Sequence, residues 1–188
     1  DTATWFALTD RVMGHGRDLS GLPVSTYDLV LKSYLGTGYP VGSFLPLGVG
    51  HQLVGVDIAW VFQPYLAFLA AMVSLSLYWI TRTLLPSRAL AALTAFAAPL
   101  AAILYGYALW GGVKELAAAA LLALVAALAA RKATLPLAVA AAALLGALSL
   151  GGAVWLAVPV LFLWRSRRRL AAALAATAVL AVPTLLVA

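Results

Sequence analysis

From Ile58 onward the chain is built of Ala, Leu and Val, broken only by small groups of charge: Arg82 and Arg88, Lys114-Glu115, Arg131-Lys132 and Arg165 to Arg169. Runs this apolar offer no polar face to water. Their backbone groups have to be satisfied internally, which a helix across a bilayer achieves. The composition agrees: 65% of residues are hydrophobic and 10% charged, against about 45–50% and about 25% in a soluble domain. An ordinary soluble globule, a disordered tail, a coiled coil and a disulfide scaffold are excluded. The chain has no cysteine, so thiolate metal sites and thiol catalysis are excluded as well. The expected fold is all-α: a polytopic transmembrane helical bundle. The chain opens on Asp1 with neither an initiator Met nor a signal peptide and stops within an apolar run, which reads as a piece of a longer protein.

The charged groups divide residues 58–188 into six expected spans: 58–81, 89–109, 114–130, 134–149, 152–164 and 170–188. One helix over 134–164 would run about 46 Å, too long for a hydrocarbon core of about 30 Å. A turn is therefore expected near Gly151-Gly152.

Residues 1–57 differ in kind. They are mixed, rich in aromatics, Gly and Pro, and hold five of the six acids. Trp5, Leu8 and Val12 fall on one helical face. Residues 14–24 read as loop. Ser25 followed by Asp28 resembles a capping box with Asp in place of Glu, and it precedes a stripe of Tyr27, Val30, Leu31, Tyr34 and Leu35. Gly36 to Pro40 breaks the chain. Residues 43–54 are apolar but contain Pro46, Gly48 and Gly50. No stretch here reaches the roughly 20 apolar residues of a span. Short helices rich in Trp and Tyr suit a membrane surface, so this region is expected to be a long outward loop with amphipathic interfacial helices. The boundary near Asp57 parts two environments, not two independent folds.

Alternating the spans sorts the charges. Arg82, Arg88, Arg131, Lys132, Arg165, Arg167, Arg168 and Arg169 fall on one side, eight of the twelve basic residues, with no acid. Arg11, Arg17, Lys32 and Lys114 fall on the other with all six acids, a balance of 4 − 6 = −2. The positive-inside rule makes the first side cytoplasmic and places residues 1–57 and 110–115 outside, as in a multi-pass cell-membrane protein. The net charge of +6 is thereby explained by topology, and nucleic acid is not an expected partner. The Arg165 to Arg169 run is a cytoplasmic stop that meets anionic headgroups.

Few polar groups invite chemistry. Asp1 and Asp10 begin the outward region. A carboxylate there serves as a helix cap or solvated charge, as a general base, or as a ligand of a divalent cation. Lys114-Glu115 follows Gly111-Gly112 at the outer start of a span. A Lys beside an outward cleft suits a phosphate, as does a helix N-terminus, while Glu115 in the first turn also suits the helix dipole. The plain alternative is a charge pair that marks the interface. His51 stands alone, so it makes no zinc site; it is expected to hydrogen-bond near the interface or to touch a sugar or phosphate. Trp60, Tyr65, Tyr78, Trp79, Tyr105, Tyr107 and Trp110 read chiefly as interface anchors.

The layout resembles the GT-C superfamily of membrane glycosyltransferases, including relatives of the protein O-mannosyltransferases and the lipid A aminoarabinose transferases. Asp1-Thr2-Ala3-Thr4-Trp5-Phe6-Ala7-Leu8 with Met13-Gly14-His15-Gly16 is similar to the acidic opening of that group's first outward loop. Gly38-Tyr39-Pro40-Val41, Phe44 to Leu53, Gly55 and Trp60 to Leu66 are similar to its return toward the second span. The chain departs from the pattern at Thr2, where a second acid is frequent, at Tyr39-Pro40-Val41, where Lys and Pro-Pro are usual, and at Gln63-Pro64, where Arg is frequent. The resemblance implies a polyprenyl-phosphate-linked sugar donor, transfer to a glycan, lipid or protein acceptor on the outer face, and Asp1 as the base. Lys114 as a phosphate contact comes from its own position, not from the resemblance. Two other readings compete: a non-catalytic membrane subunit or scaffold that docks membrane-protein partners, and a transporter. The transporter ranks last because no acid falls mid-membrane.

Overall fold

A computed structural model describes residues 2–186, with side chains described through Pro183. Among these residues the regular structure is all helix, joined by turns and loops, with no strand. The helices are α1 (Thr2–His15), α2 (Thr26–Tyr34), α3 (Leu45–Val54), α4 (Ile58–Leu84), α5 (Arg88–Ala97), α6 (Ala102–Trp110), α7 (Val113–Ala130), α8 (Thr134–Leu148), α9 (Ala157–Leu163) and α10 (Arg167–Leu186). Short 3-10 segments lie at Leu35–Thr37, Ala98–Leu100 and Ser149–Leu156.

Local chemistry sets several boundaries. The Ser25 hydroxyl accepts from the Asp28 N–H at 3.2 Å and caps α2, as the sequence predicts. Asp28 does not complete the box; it pairs with Lys32 one turn on, at 2.8 Å. The Asp57 carboxylate accepts from the Ala59 N–H at 2.9 Å and caps α4. Gly55 and Gly111 close α3 and α6 in the left-handed conformation, at φ 72° and 83°, which costs little only without a Cβ. α3 forms despite its glycines, because Pro46 sits in the first turn, where its missing N–H is not needed.

Three helical stretches are long and apolar enough to cross a membrane: α4, α7 and the run Thr134–Leu163. A fourth exists if Arg88–Leu100 and Ala102–Trp110, bent by 47°, count as one broken span. The expected span 89–109 is thus interrupted at Pro99, within the 3-10 segment. The run Thr134–Leu163 is not a straight rod. A rod would set Leu163 about 39 Å from Leu137, yet both belong to one buried cluster with Val125, Ala129 and Ala173, and α9 packs on α7. The break falls at Ser149, with φ 54° and ψ −152°. The expectation is a turn near Gly151-Gly152; the chain breaks at Ser149, and the 3-10 segment Ser149–Leu156, which holds both glycines, leads it back.

The bundle runs α5, α4, α7, α8, α10, with α9 against α7 and α10. Small residues line the α7–α8 contact: Ala129 on α7 is buried in one cluster with Ala140 and Ala141 on α8. The basic turns share one end. The Arg131 guanidinium lies over the Trp79 ring near the end of α4, and the Leu163–Leu170 corner packs beside Ala129.

Residues 2–57 fold against the other end. Leu8, Leu31, Phe44 and Leu47 are fully buried in one cluster with Phe62, Leu66, Val113 and Leu116 from α4 and α7. Burial of each such side chain is worth about 1.5–3 kcal/mol. The boundary at Asp57 therefore separates compositions and not cores. Tyr65, expected as an interface anchor, is instead buried, and its hydroxyl donates to the Ser43 carbonyl at 2.8 Å. The loop before α3 is also tied to α8. The Gly42 N–H donates to the Gly146 carbonyl at 3.2 Å, and a Cβ on Gly42 would come within 2.6 Å of that carbonyl group.

Candidate functional site

The site forms where α1, the Tyr34–Tyr39 turn and the start of α7 meet. Trp5 is held edge-on by Tyr34 at 5.4 Å, stacked on Tyr39 at 6.1 Å and on Phe44 at 5.3 Å, all between ring centroids. Offset and edge-on contacts of this kind are favourable beyond their buried area. Arg17 fixes the Tyr39 segment from behind. Its guanidinium donates to the Leu35 and Tyr39 carbonyls at 3.1 and 2.8 Å. Burial lowers its pKa from the ordinary Arg value, though an arginine remains charged at neutral pH.

The other wall comes from the α6–α7 corner. Gly111 turns the chain, and α7 begins at Val113, so Lys114 and Glu115 lie in its first turn. The Lys114 ammonium sits 4.5 Å from the Tyr39 ring centroid, a cation–π contact. The Glu115 carboxylate folds toward Gly112, where an added Cβ would stand 3.1 Å from Oε2 and 2.8 Å from the Tyr107 ring. The Thr2 hydroxyl reaches the same corner: a Cβ on Gly111 would come within 3.0 Å of it. Neither Lys114 nor Glu115 forms an ion pair; the one ion pair among the described residues is Asp28–Lys32. Both are half-buried.

Two cavities share this corner. One, of about 290 Å³, is lined by Trp5, Tyr34, Tyr39, Trp110 and Glu115. The second, of about 330 Å³, is almost wholly apolar and runs between α7, α8 and Trp155 with Lys114 and Glu115 at its end. Glu115 borders both. An aromatic chamber suits a sugar or another flat-faced ring, a carboxylate accepts hydrogen bonds from hydroxyls, an ammonium binds an anion, and the apolar groove takes a hydrocarbon chain.

Of the residues singled out from sequence, Lys114 and Glu115 come together here. Asp10 is exposed on α1 and lines neither cavity. His51 hydrogen-bonds through Nδ1 to the Val56 carbonyl at the end of α3 and is likewise apart. Asp1 lies outside the described residues. Among the described residues no three His, Asp or Glu side chains gather as a metal-binding group. From sequence, Trp5 and Tyr34 read as members of helical faces, and Trp5 and Tyr39 as part of the resemblance; none of the three is a site candidate there.

Tyr39 reports on the site. Burial first, then the negative charges of Glu115 and Tyr34, push its hydroxyl up to about 12. The neutral form is the favoured one, so its contribution to stability is intact below the ordinary tyrosine value near 10 and is lost as pH rises toward 12. Ultraviolet titration of the wild type minus Tyr39→Phe is expected to show one phenol ionising late, and Glu115→Gln to shift it downward. A difference titration centred at the ordinary value would refute this burial.

No protein-family model, curated protein or solved structure matches the chain.

Proposed function

We propose that the protein is an integral membrane glycosyltransferase that moves a sugar from a polyprenyl-phosphate donor to an acceptor on the outer face of the membrane. The observation that carries this reading is the Lys114-Glu115 corner, where an aromatic chamber and an apolar groove meet at one half-buried cation and one half-buried carboxylate. A donor of this class has the same order of parts: a sugar, an anionic linkage and a hydrocarbon chain. The similarity of Asp1 to Gly16 and of Gly38 to Leu66 to the GT-C loop supports the same reading. So does the shared end of the basic turns, which the positive-inside rule assigns to the cytoplasm, leaving the corner outside.

In this reading the sugar stacks on Trp5 and Tyr39, with a hydroxyl donating to Glu115. Asp1, by the resemblance, accepts the proton of the acceptor hydroxyl. The acceptor oxygen attacks the anomeric carbon, and the bond from that carbon to the phosphate oxygen breaks. The electron pair leaves with the lipid phosphate. Lys114 stabilises the charge gathering there, aided by the α7 N-terminus. The leaving phosphate is a stable anion, so no protein acid is required.

The test is sugar transfer by the full-length protein in lipid nanodiscs, with a panel of polyprenyl-phosphate sugars and acceptor extracts. Wild type is expected to consume one donor, and Asp1→Asn to slow that by about 100-fold or more while remaining folded. Turnover that survives in Asp1→Asn would keep the transferase and remove Asp1 as base. Absence of turnover with every donor would favour the scaffold reading.

A further inference from the structure

A second groove lies at the basic end of the bundle, between α4 and α7. α4 contributes Met72, Leu75, Ser76 and Trp79; α7 contributes Leu124, Ala127, Leu128 and Arg131. Both sets follow the i, i+3, i+4, i+7 spacing of one helical face, so the cavity of about 260 Å³ runs along both helices. That is just below the roughly 300–1,000 Å³ of pockets that enclose a whole small solute. It opens sideways, since Leu75 and Trp79 are 58% and 53% exposed.

The lining is apolar except at two points. The Arg131 guanidinium carbon lies 4.1 Å from the Trp79 ring centroid at the end of the groove. One turn deeper, Ser76 is only 3% exposed, and its hydroxyl has no hydrogen-bond partner. A buried hydroxyl of this kind requires an acceptor or donor from elsewhere. The charges at this end are of one sign: Arg82 follows Trp79 on α4, Lys132 follows Arg131, and the chain has no acid between Asp57 and Glu115 or after Glu115. Lys114 is about 26 Å away along α7, so this groove is separate from the candidate donor site.

We propose that this groove binds an anionic phospholipid. The order of groups along it is the order of groups in that lipid. The phosphate sits on Arg131, whose N–H donors remain free for an anion while the guanidinium lies on a ring face. The ester carbonyl one turn deeper accepts from Ser76, and one acyl chain follows Met72, Leu75, Leu124 and Leu128. The partner is a lipid of the leaflet that this end meets and not a soluble anion, because most of the lining is apolar and opens to the bundle's exterior.

The test is lipid retention by the full-length protein, purified in mild detergent, supplied with equal phosphatidylglycerol and phosphatidylcholine, and read by native mass spectrometry. Wild type is expected to retain phosphatidylglycerol preferentially. Arg131→Gln is expected to lose that preference by about tenfold, the scale of one charge-assisted hydrogen bond. Ser76→Ala, which disturbs the fold least, is expected to weaken it several-fold, while Arg88→Gln, exposed at the start of α5 and outside the groove, leaves it unchanged. Equal retention of the two lipids by wild type would overturn the proposal. So would wild-type preference in Ser76→Ala and Arg131→Gln, or an equal loss in Arg88→Gln, which would reduce the effect to general surface charge.

Discussion

Replacing Lys114 by Gln is expected to slow sugar transfer by about 100- to 1,000-fold, the range seen when one preorganised group facing a developing charge is removed. The loss should fall mainly on kcat. The Lys114 ammonium stands at the N-terminal turn of α7, half-buried and 4.5 Å from the Tyr39 ring centroid, without a carboxylate partner. A cation so placed gains most when the phosphate oxygen takes up a full bond's electrons, which happens at the transition state. The ground-state donor already carries a negative phosphate, so KM should rise less. Lys114→Arg is expected to recover part of the rate, since charge is kept while shape is not. Lys32→Gln is the control: Lys32 also lies near this end of the bundle, on α2, but it is exposed and paired with Asp28. Transfer by Lys114→Gln within a few-fold of wild type would remove the phosphate role. Equal losses in Lys114→Gln and Lys32→Gln would point to surface charge instead of a site. The measurement is steady-state transfer in nanodiscs across donor concentrations.

What the sequence disclosed depends on whether the cause was local. The apolar run of α4 is legible because hydropathy is carried by the residues of the run themselves. The Ser25 cap is legible because a capping side chain acts within a few residues. A break in this stretch before α9 is legible too, but the residue at which it falls, Ser149, is not. Gly151-Gly152 is the stronger local signal, whereas the serine at positive φ precedes a chain reversal that packs α9 against α7, a long-range contact. Tyr65 belongs to the same class: an aromatic near the start of a span looks like an interface anchor until the Ser43 loop covers it. At the candidate site, Lys114 and Glu115 stand out as rare charges beside a Gly-Gly corner. The chamber around them does not, because Trp5, Tyr34, Tyr39 and Trp110 come from separate elements, and only the folded chain brings their rings together.

Gly42 and Gly106 look alike in the sequence, and the structure separates them in sign. At Gly42 the backbone touches α8 directly: its N–H bonds to Gly146, and an added Cβ would stand 2.6 Å from the Gly146 carbonyl carbon and oxygen. Those atoms belong to a helix backbone and cannot swing aside as a side-chain tip can. Gly42→Ala is therefore expected to destabilise by about 1–3 kcal/mol, as overpacking does, and Gly42→Val by more, with the loop before α3 lifted from α8. Gly106 lies within α6, and nothing stands within 4 Å of its added Cβ. Gly106→Ala is expected to stabilise by up to about 1 kcal/mol, the difference in helix propensity. Thermal unfolding in detergent, followed by circular dichroism, should order the three proteins as Gly106→Ala, wild type, Gly42→Ala. Limited proteolysis should cut the 38–44 loop faster in Gly42→Ala alone. Tyr39 belongs to that loop and carries the ring beneath Lys114. Loss of the Gly42 contact should therefore also bring the late tyrosine ionisation back toward its ordinary value. A Gly42→Ala protein as stable as wild type, with Tyr39 still titrating late, would show that the loop is held by its aromatic contacts and not by α8.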